Sequence, residues 1–145
     1  MLFLPDGLSA ISASFDGTLR TWNLETAEKI QEFRGHEGSI WRVALSPDGK
    51  TAFSGGNDAA VLSWDVSSGS QIRSFAGQYD AAMGVAVSRD GKLVVATGGG
   101  SFLRAWDCRP DRGIGPIDFP DPITSVAMSD QRIILFGSSQ GIKIR

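Results

Sequence analysis

Few residues in this chain have the types that chemistry needs. His36 is the sole histidine and Cys108 the sole cysteine among 145 residues. Ser54, His36 and Asp58 supply the three types of a Ser-His-Asp triad, in which a base activates a hydroxyl and a carboxylate orients the base. A single imidazole without a second histidine or a cysteine pair lacks zinc-ligand spacing. Cys108 reads as a small buried apolar side chain rather than a reactive thiol. Gly98, Gly99 and Gly100 lack the Gly-Lys-Ser/Thr ending and the following helix of a phosphate loop. Asp6, Asp48, Asp90 and Asp130 are scattered over turns, with no convergent acid–base pair among them. The expectation is therefore no catalytic residue, no metal ligand and no cofactor.

The elements that carry these residues repeat. Trp22, Trp64 and Trp106 are spaced 42 residues apart, twice over. The turn Pro5-Asp6-Gly7 returns at Pro47-Asp48-Gly49 and as Arg89-Asp90-Gly91, at the same interval. Ile30 and Phe33 return as Ile72 and Phe75. Within a unit the pattern is short strands broken by Gly, Asp, Asn and Ser, and no long amphipathic helix survives the glycines. In the second unit, strands are expected over 40–45, 51–54, 61–64 and 71–75. Turns are expected over 5–7, 55–59, 67–70 and 89–91. A fourth unit is visible over 123–129 and 133–137. Pro116, Pro120 and Pro122 belong on a sheet edge or in a loop.

Gly35-His36 followed by Trp64-Asp65, with Trp106-Asp107 and the variant Trp22-Asn23, resembles the tryptophan–aspartate (WD) repeat family, and the unit length fits. The resemblance implies an all-β fold: a β-propeller with blades of four antiparallel strands. The whole chain, 1–145, would then be one propeller segment of about 3.5 blades. Its repeats would run over 1–34 (partial), 35–76, 77–118 and 119–145 (partial). A ring of about seven blades needs roughly twice this length, so the chain is expected to be a fragment, with a half-propeller that self-associates as the alternative.

The resemblance also assigns a buried hydrogen-bond chain to His36, Ser54, Asp58 and Trp64, which makes the triad reading unnecessary. In the first repeat Ser12, Asp16 and Trp22 occupy the matching places, and the matching histidine would precede Met1. Gln78, Ala96 and Gly100 replace His, Ser and Asp in the third repeat. Phe136 and Gln140 replace Ser and Asp in the fourth.

By the same resemblance, the mouths of the innermost strands and the turns after the second strands share a rim that grips partner peptides. The candidates there are Ser39, Trp41, Asn57, Phe15 and Met83, with Ala81, Tyr79, Gly99, Thr124 and Ser139 nearby. An aromatic and methionine cluster of low charge has the composition of a protein-binding hot spot. Arg42 alternates to the other side of the strand from Trp41 unless a bulge intervenes. The function implied is a non-catalytic scaffold for protein–protein interaction. The alternatives are a regulatory propeller attached to an effector such as a kinase, or an enzyme with its site in the channel.

Composition sets the outer limits. Fourteen Lys and Arg against sixteen Asp and Glu leave a net charge of −2, which excludes a nucleic-acid binder led by phosphate contacts. No apolar run of about 18 residues is present, so no transmembrane helix is expected. The opening residues lack the basic region of a signal peptide. A cytoplasmic protein that binds another protein, with no membrane partner, is the expectation.

Overall fold

The structure is a computed structural model that describes residues 1–75, 80–99, 102–108, 113–118, 123–128, 134–138 and 141–144. Every regular element among them is a strand. The first antiparallel sheet comprises β1 (Leu2–Phe3), β2 (Ser9–Ala13), β3 (Thr18–Asn23) and β4 (Lys29–Arg34). The second comprises β5 (Ile40–Leu45), β6 (Thr51–Gly56), β7 (Val61–Asp65) and β8 (Gln71–Phe75). The third comprises β9 (Gly84–Val87), β10 (Leu93–Thr97), β11 (Phe102–Asp107) and β12 (Gly113–Asp118). The fourth has three strands, β13 (Ile123–Met128), β14 (Ile134–Ser138) and β15 (Gly141–Ile144). Each strand pairs with its sequence neighbour, and β5, β9 and β13 lie side by side on the inner edge. These are propeller blades in a partial ring.

The turns show why the sequence folds this way. At Gly7, Gly49 and Gly91 the backbone takes φ of +68°, +70° and +68°, which glycine enters without a Cβ clash. Asp48 Oδ1 accepts the Ser46 hydroxyl at 2.6 Å and the Lys50 N–H at 3.1 Å. Asp90 repeats both bonds with Ser88 and Lys92, at 2.6 and 3.1 Å. A carboxylate that satisfies the turn's own donors fixes strand register without help from the core. Asp65 Oδ1 likewise accepts the Ser67 and Ser68 N–H groups, and Asn23 makes the same pair of bonds with Glu25 and Thr26. The Asp of Trp-Asp is therefore a turn cap, and Asn serves equally.

The core lies between the sheets. In β6, Ala52 faces the first sheet with Ile11, Leu19 and Phe33, while Phe53 faces the third with Val85 and Val94. This alternation buries both faces of a central blade. The contact Phe33–Trp64 recurs as Phe75–Trp106, edge-on or tilted at 6.1 and 5.9 Å. A backbone bond from Ile40 N–H to Ser14 O recurs as Ala82 N–H to Gly56 O, at 3.1 and 2.9 Å. The third joint, built on Val95, Leu103, Ala105 and Ile123, is aliphatic.

Two expectations change. Gly55 and Gly56 are not turn residues but the last two residues of β6. A Cβ on Gly55 would lie 2.7 Å from Ala82 O in the segment leading into β9, so glycine is there to admit close packing. Cys108 is half-buried rather than buried, packed at the margin of the second core. Pro116 falls in edge strand β12 beside a pairing irregularity, as a residue without an N–H requires. Pro120 and Pro122 lie outside the described residues.

Candidate functional site

β6 and β7 bring Ser54 and Trp64 together, and the loop before β5 delivers His36. The Trp64 indole N–H donates to Ser54 Oγ at 2.8 Å. Ser54 Oγ lies 2.7 Å from His36 Nε2. His36 Nδ1 lies 2.9 and 3.0 Å from the two Asp58 oxygens. A carboxylate only accepts, so the imidazole proton sits on Nδ1, and Ser54 O–H donates to Nε2. One direction of donation, Trp64 to Ser54 to His36 to Asp58, then satisfies every member. Asp58 also accepts the Glu37 N–H at 2.8 Å and the Ala60 N–H at 3.2 Å. Burial pushes the Asp58 carboxyl up, but the Glu37 N–H and the His36 ring outweigh it and hold its pKa below the ordinary range.

The Ser54–His36–Asp58 distances are those of a hydrolytic triad, yet a reacting atom cannot reach them. Ser54 is 0% exposed, and its oxygen is already bonded on both sides. Its chemistry is cohesion. The set clips the loop before β5 to the turn after β6, and Asn57 N–H to Ser39 O at 2.8 Å adds a second tie. Gly56 makes room for it: a Cβ there would sit 2.5 Å from Asp58 Oδ1 and 2.6 Å from His36 Nδ1. The sequence reading missed this residue, although a glycine pair inside a strand is a signal of close approach.

The first sheet holds only part of such a set. Trp22 N–H donates to Ser12 Oγ at 2.9 Å. Asp16 is not joined to them. It is exposed and binds the Thr18 hydroxyl at 2.6 Å and the Arg20 guanidinium at 2.7 Å, and Thr18 foremost holds its carboxyl far below the usual range. With His36 committed to Asp58, the chain has no second imidazole to bridge the gap. Ala96 is buried in the second core. Gln78, Tyr79, Gly100, Ser139 and Gln140 lie outside the described residues, and nothing is described of the Phe136 side chain.

The rim candidates fall into two groups. Phe15 is 70% exposed and Trp41 41%, and their rings meet edge-to-face at 5.1 Å. Ser39 is half-buried, with its hydroxyl donated to Phe15 O at 3.0 Å, so it braces the pair instead of facing outward. Asn57 is exposed. Met83, 40% exposed, stands at the position equivalent to Trp41, one residue before β9. The pairing of β5 with β6 shifts between Ile40 and Arg42, a bulge at Trp41. It leaves Trp41 and Arg42 both exposed, so alternation does not separate them. A matching shift occurs around Thr124 in β13.

Among the described residues there is no group of three or more potential metal-ligating side chains, and no helix long and apolar enough to cross a membrane. A family model described as "WD domain, G-beta repeat" matches residues 1–23, 27–65 and 69–107. Each of the latter two segments begins in the connection before an outer strand, so β4 and β8 complete sheets whose other strands belong to the segment before. No curated protein matches the chain.

Proposed function

The chain belongs to the WD40 family, whose repeats generally serve as protein–protein interaction scaffolds, and we propose that it is a non-catalytic scaffold that binds a partner protein through the rim around Trp41. The observation that carries this reading is the solvent-facing Phe15–Trp41 pair, with Phe15 in the turn after β2, Trp41 at the bulge in β5, and Ser39 bonding the two segments together. Indole and phenyl rings lose little side-chain entropy when bound, so they suit anchoring. Asn57 and Arg42 add polar groups around the pair. The mixed, near-neutral charge supports a protein partner over a nucleic acid.

The test compares Trp41→Ala, Phe15→Ala and Asn57→Ala with Ile30→Ala, which removes an exposed apolar side chain from outer strand β4. Partner capture and urea melting are measured on the same full-length preparations. Capture lost in the first three at unchanged stability, and kept in Ile30→Ala, supports the rim. Capture that falls only in proportion to stability in Trp41→Ala would show that the indole is framework, and would sink the reading.

A further inference from the structure

The repeat gives the chain two equivalent joints, between the first and second sheets and between the second and third, and their outer halves differ. At the first joint Val66 packs against the core, Thr21 is buried, and the Pro5 ring closes over Gly49, where a Cβ would lie 2.5 Å from Pro5 Cδ. At the second joint each matching position carries less. Cys108 stands for Val66, Ser63 for Thr21, and a Cβ on Gly91 would meet nothing within 4 Å. A cleft of about 160 Å³ opens there.

Its walls are Phe53, Phe75 and Ile72, with the Arg73 guanidinium laid over the Phe75 ring at 4.7 Å. Cys108 and Ser63 lie beside them, and Ser46, Thr51 and Gly91 line the Pro-Asp-Gly side. Ser63 is 3% exposed, and its hydroxyl has no hydrogen-bond partner among the described residues. Its oxygen is not sealed off from the cleft, so it can bond a polar atom that enters there in place of water. The cleft lies at the Pro-Asp-Gly end of the strands, opposite the rim.

We propose that this cleft binds a single aromatic ring carrying one hydrogen-bonding group, of phenol size, with the ring against Phe53, Phe75 and Ile72 and the polar atom on Ser63. The volume is close to that of protein cavities of about 150 Å³ that take up benzene, and because this cleft is open on one side the bound ring keeps one edge in water. A cysteine sulfur offers a soft, polarisable contact to a ring. Burial pushes the Cys108 thiol up to about 11, so the sulfur meets the ligand as a neutral thiol and the ligand is held without a covalent bond. The ring can come from a free phenolic molecule or from a tyrosine side chain of a bound segment.

The experiment follows alkylation of Cys108 by N-ethylmaleimide in the full-length protein, read by mass spectrometry of its peptide. 4-Methylphenol should slow the reaction saturably, roughly fivefold or more, with half-effect on the order of 1 mM for so small a ligand. N-Acetyltyrosine amide distinguishes the sources: protection by both probes admits a side chain, and protection by 4-methylphenol alone marks a free small molecule. Ser63→Thr, which rebuilds the first joint's residue, should abolish protection. Ser63→Ala, which keeps the shape and removes the hydroxyl, should weaken it about fivefold. Protection that does not saturate, is absent with both probes, or is undiminished in both variants would overturn the proposal.

Discussion

Ser54→Ala isolates what the buried set contributes, because Ser12→Ala makes the same chemical change in a wetter place. Removing Ser54 Oγ orphans two groups at once. The Trp64 indole N–H belongs to a residue 1% exposed, and the His36 side chain is 0% exposed. Neither can turn to solvent, and the space left by one oxygen is too small for a water. A buried polar group without its partner costs about 1–3 kcal/mol. Since the two share one oxygen, the losses are not independent, and about 2–4 kcal/mol is expected for the pair. In the first sheet Ser12 and Trp22 are both half-buried, and the second Ser12 contact, to Arg20 O, is a long 3.4 Å. Water replaces those bonds, so Ser12→Ala should cost about 0.5–1 kcal/mol. Urea melts of the full-length protein should separate the two midpoints by about 1 M at a slope near 2 kcal/mol per M. Amide exchange at Glu37 and Asn57 should quicken in Ser54→Ala, because those N–H groups bond within the clipped loops. Equal costs for the two variants, or unchanged exchange at Glu37, would refute the cohesion argument.

Gly55→Ala should destabilise by about 1–3 kcal/mol, since its Cβ would press on the backbone oxygen of Ala82 at 2.7 Å; a melt within 0.5 kcal/mol of wild type contradicts the close approach. Gly17 and Ala59 occupy the same turn position with φ of +82° and +58°, so Ala59→Gly should be neutral to stabilising by up to about 1 kcal/mol as left-handed strain is relieved. Gly17→Ala should instead destabilise, with its Cβ 3.2 Å from Gly38 O, and like signs at the two positions would count against the turn geometry. The Asp58 carboxyl lies below its ordinary value of 3.8 in the folded chain, so its contribution is present above that pH and is lost as pH falls through the folded value. Urea midpoints should therefore fall more steeply below about pH 4 in wild type than in Asp58→Asn, and parallel acid profiles would exclude Asp58 as a source of acid sensitivity.

The four-strand sheets were legible because their causes are local. The turn at 47–49 needs a carboxylate, a hydroxyl and a glycine within a few residues, and all three are written side by side. The spacing of Trp22, Trp64 and Trp106 announced the repeat for the same reason, since each blade solves one packing problem with one set of residues. Gly55 was misread as turn because its reason lies on Ala82, 27 positions away in sequence and just before a strand of the third sheet. Arg42's exposure depends on a bulge that strand alternation cannot reveal. Asp16 carries the residue type of Asp58 but not its place, because a carboxylate turns to the strongest donors in reach, and there these are Thr18 and Arg20. The open joint at Cys108 was hidden for a similar reason. Ser63 and Cys108 are unremarkable alone, and only the packing of two sheets shows that each is smaller than its counterpart at the same joint position. Short-range hydrogen bonding sets strands and turns from the chain itself, whereas exposure, free space and partners are sums over neighbours that only the folded arrangement brings together.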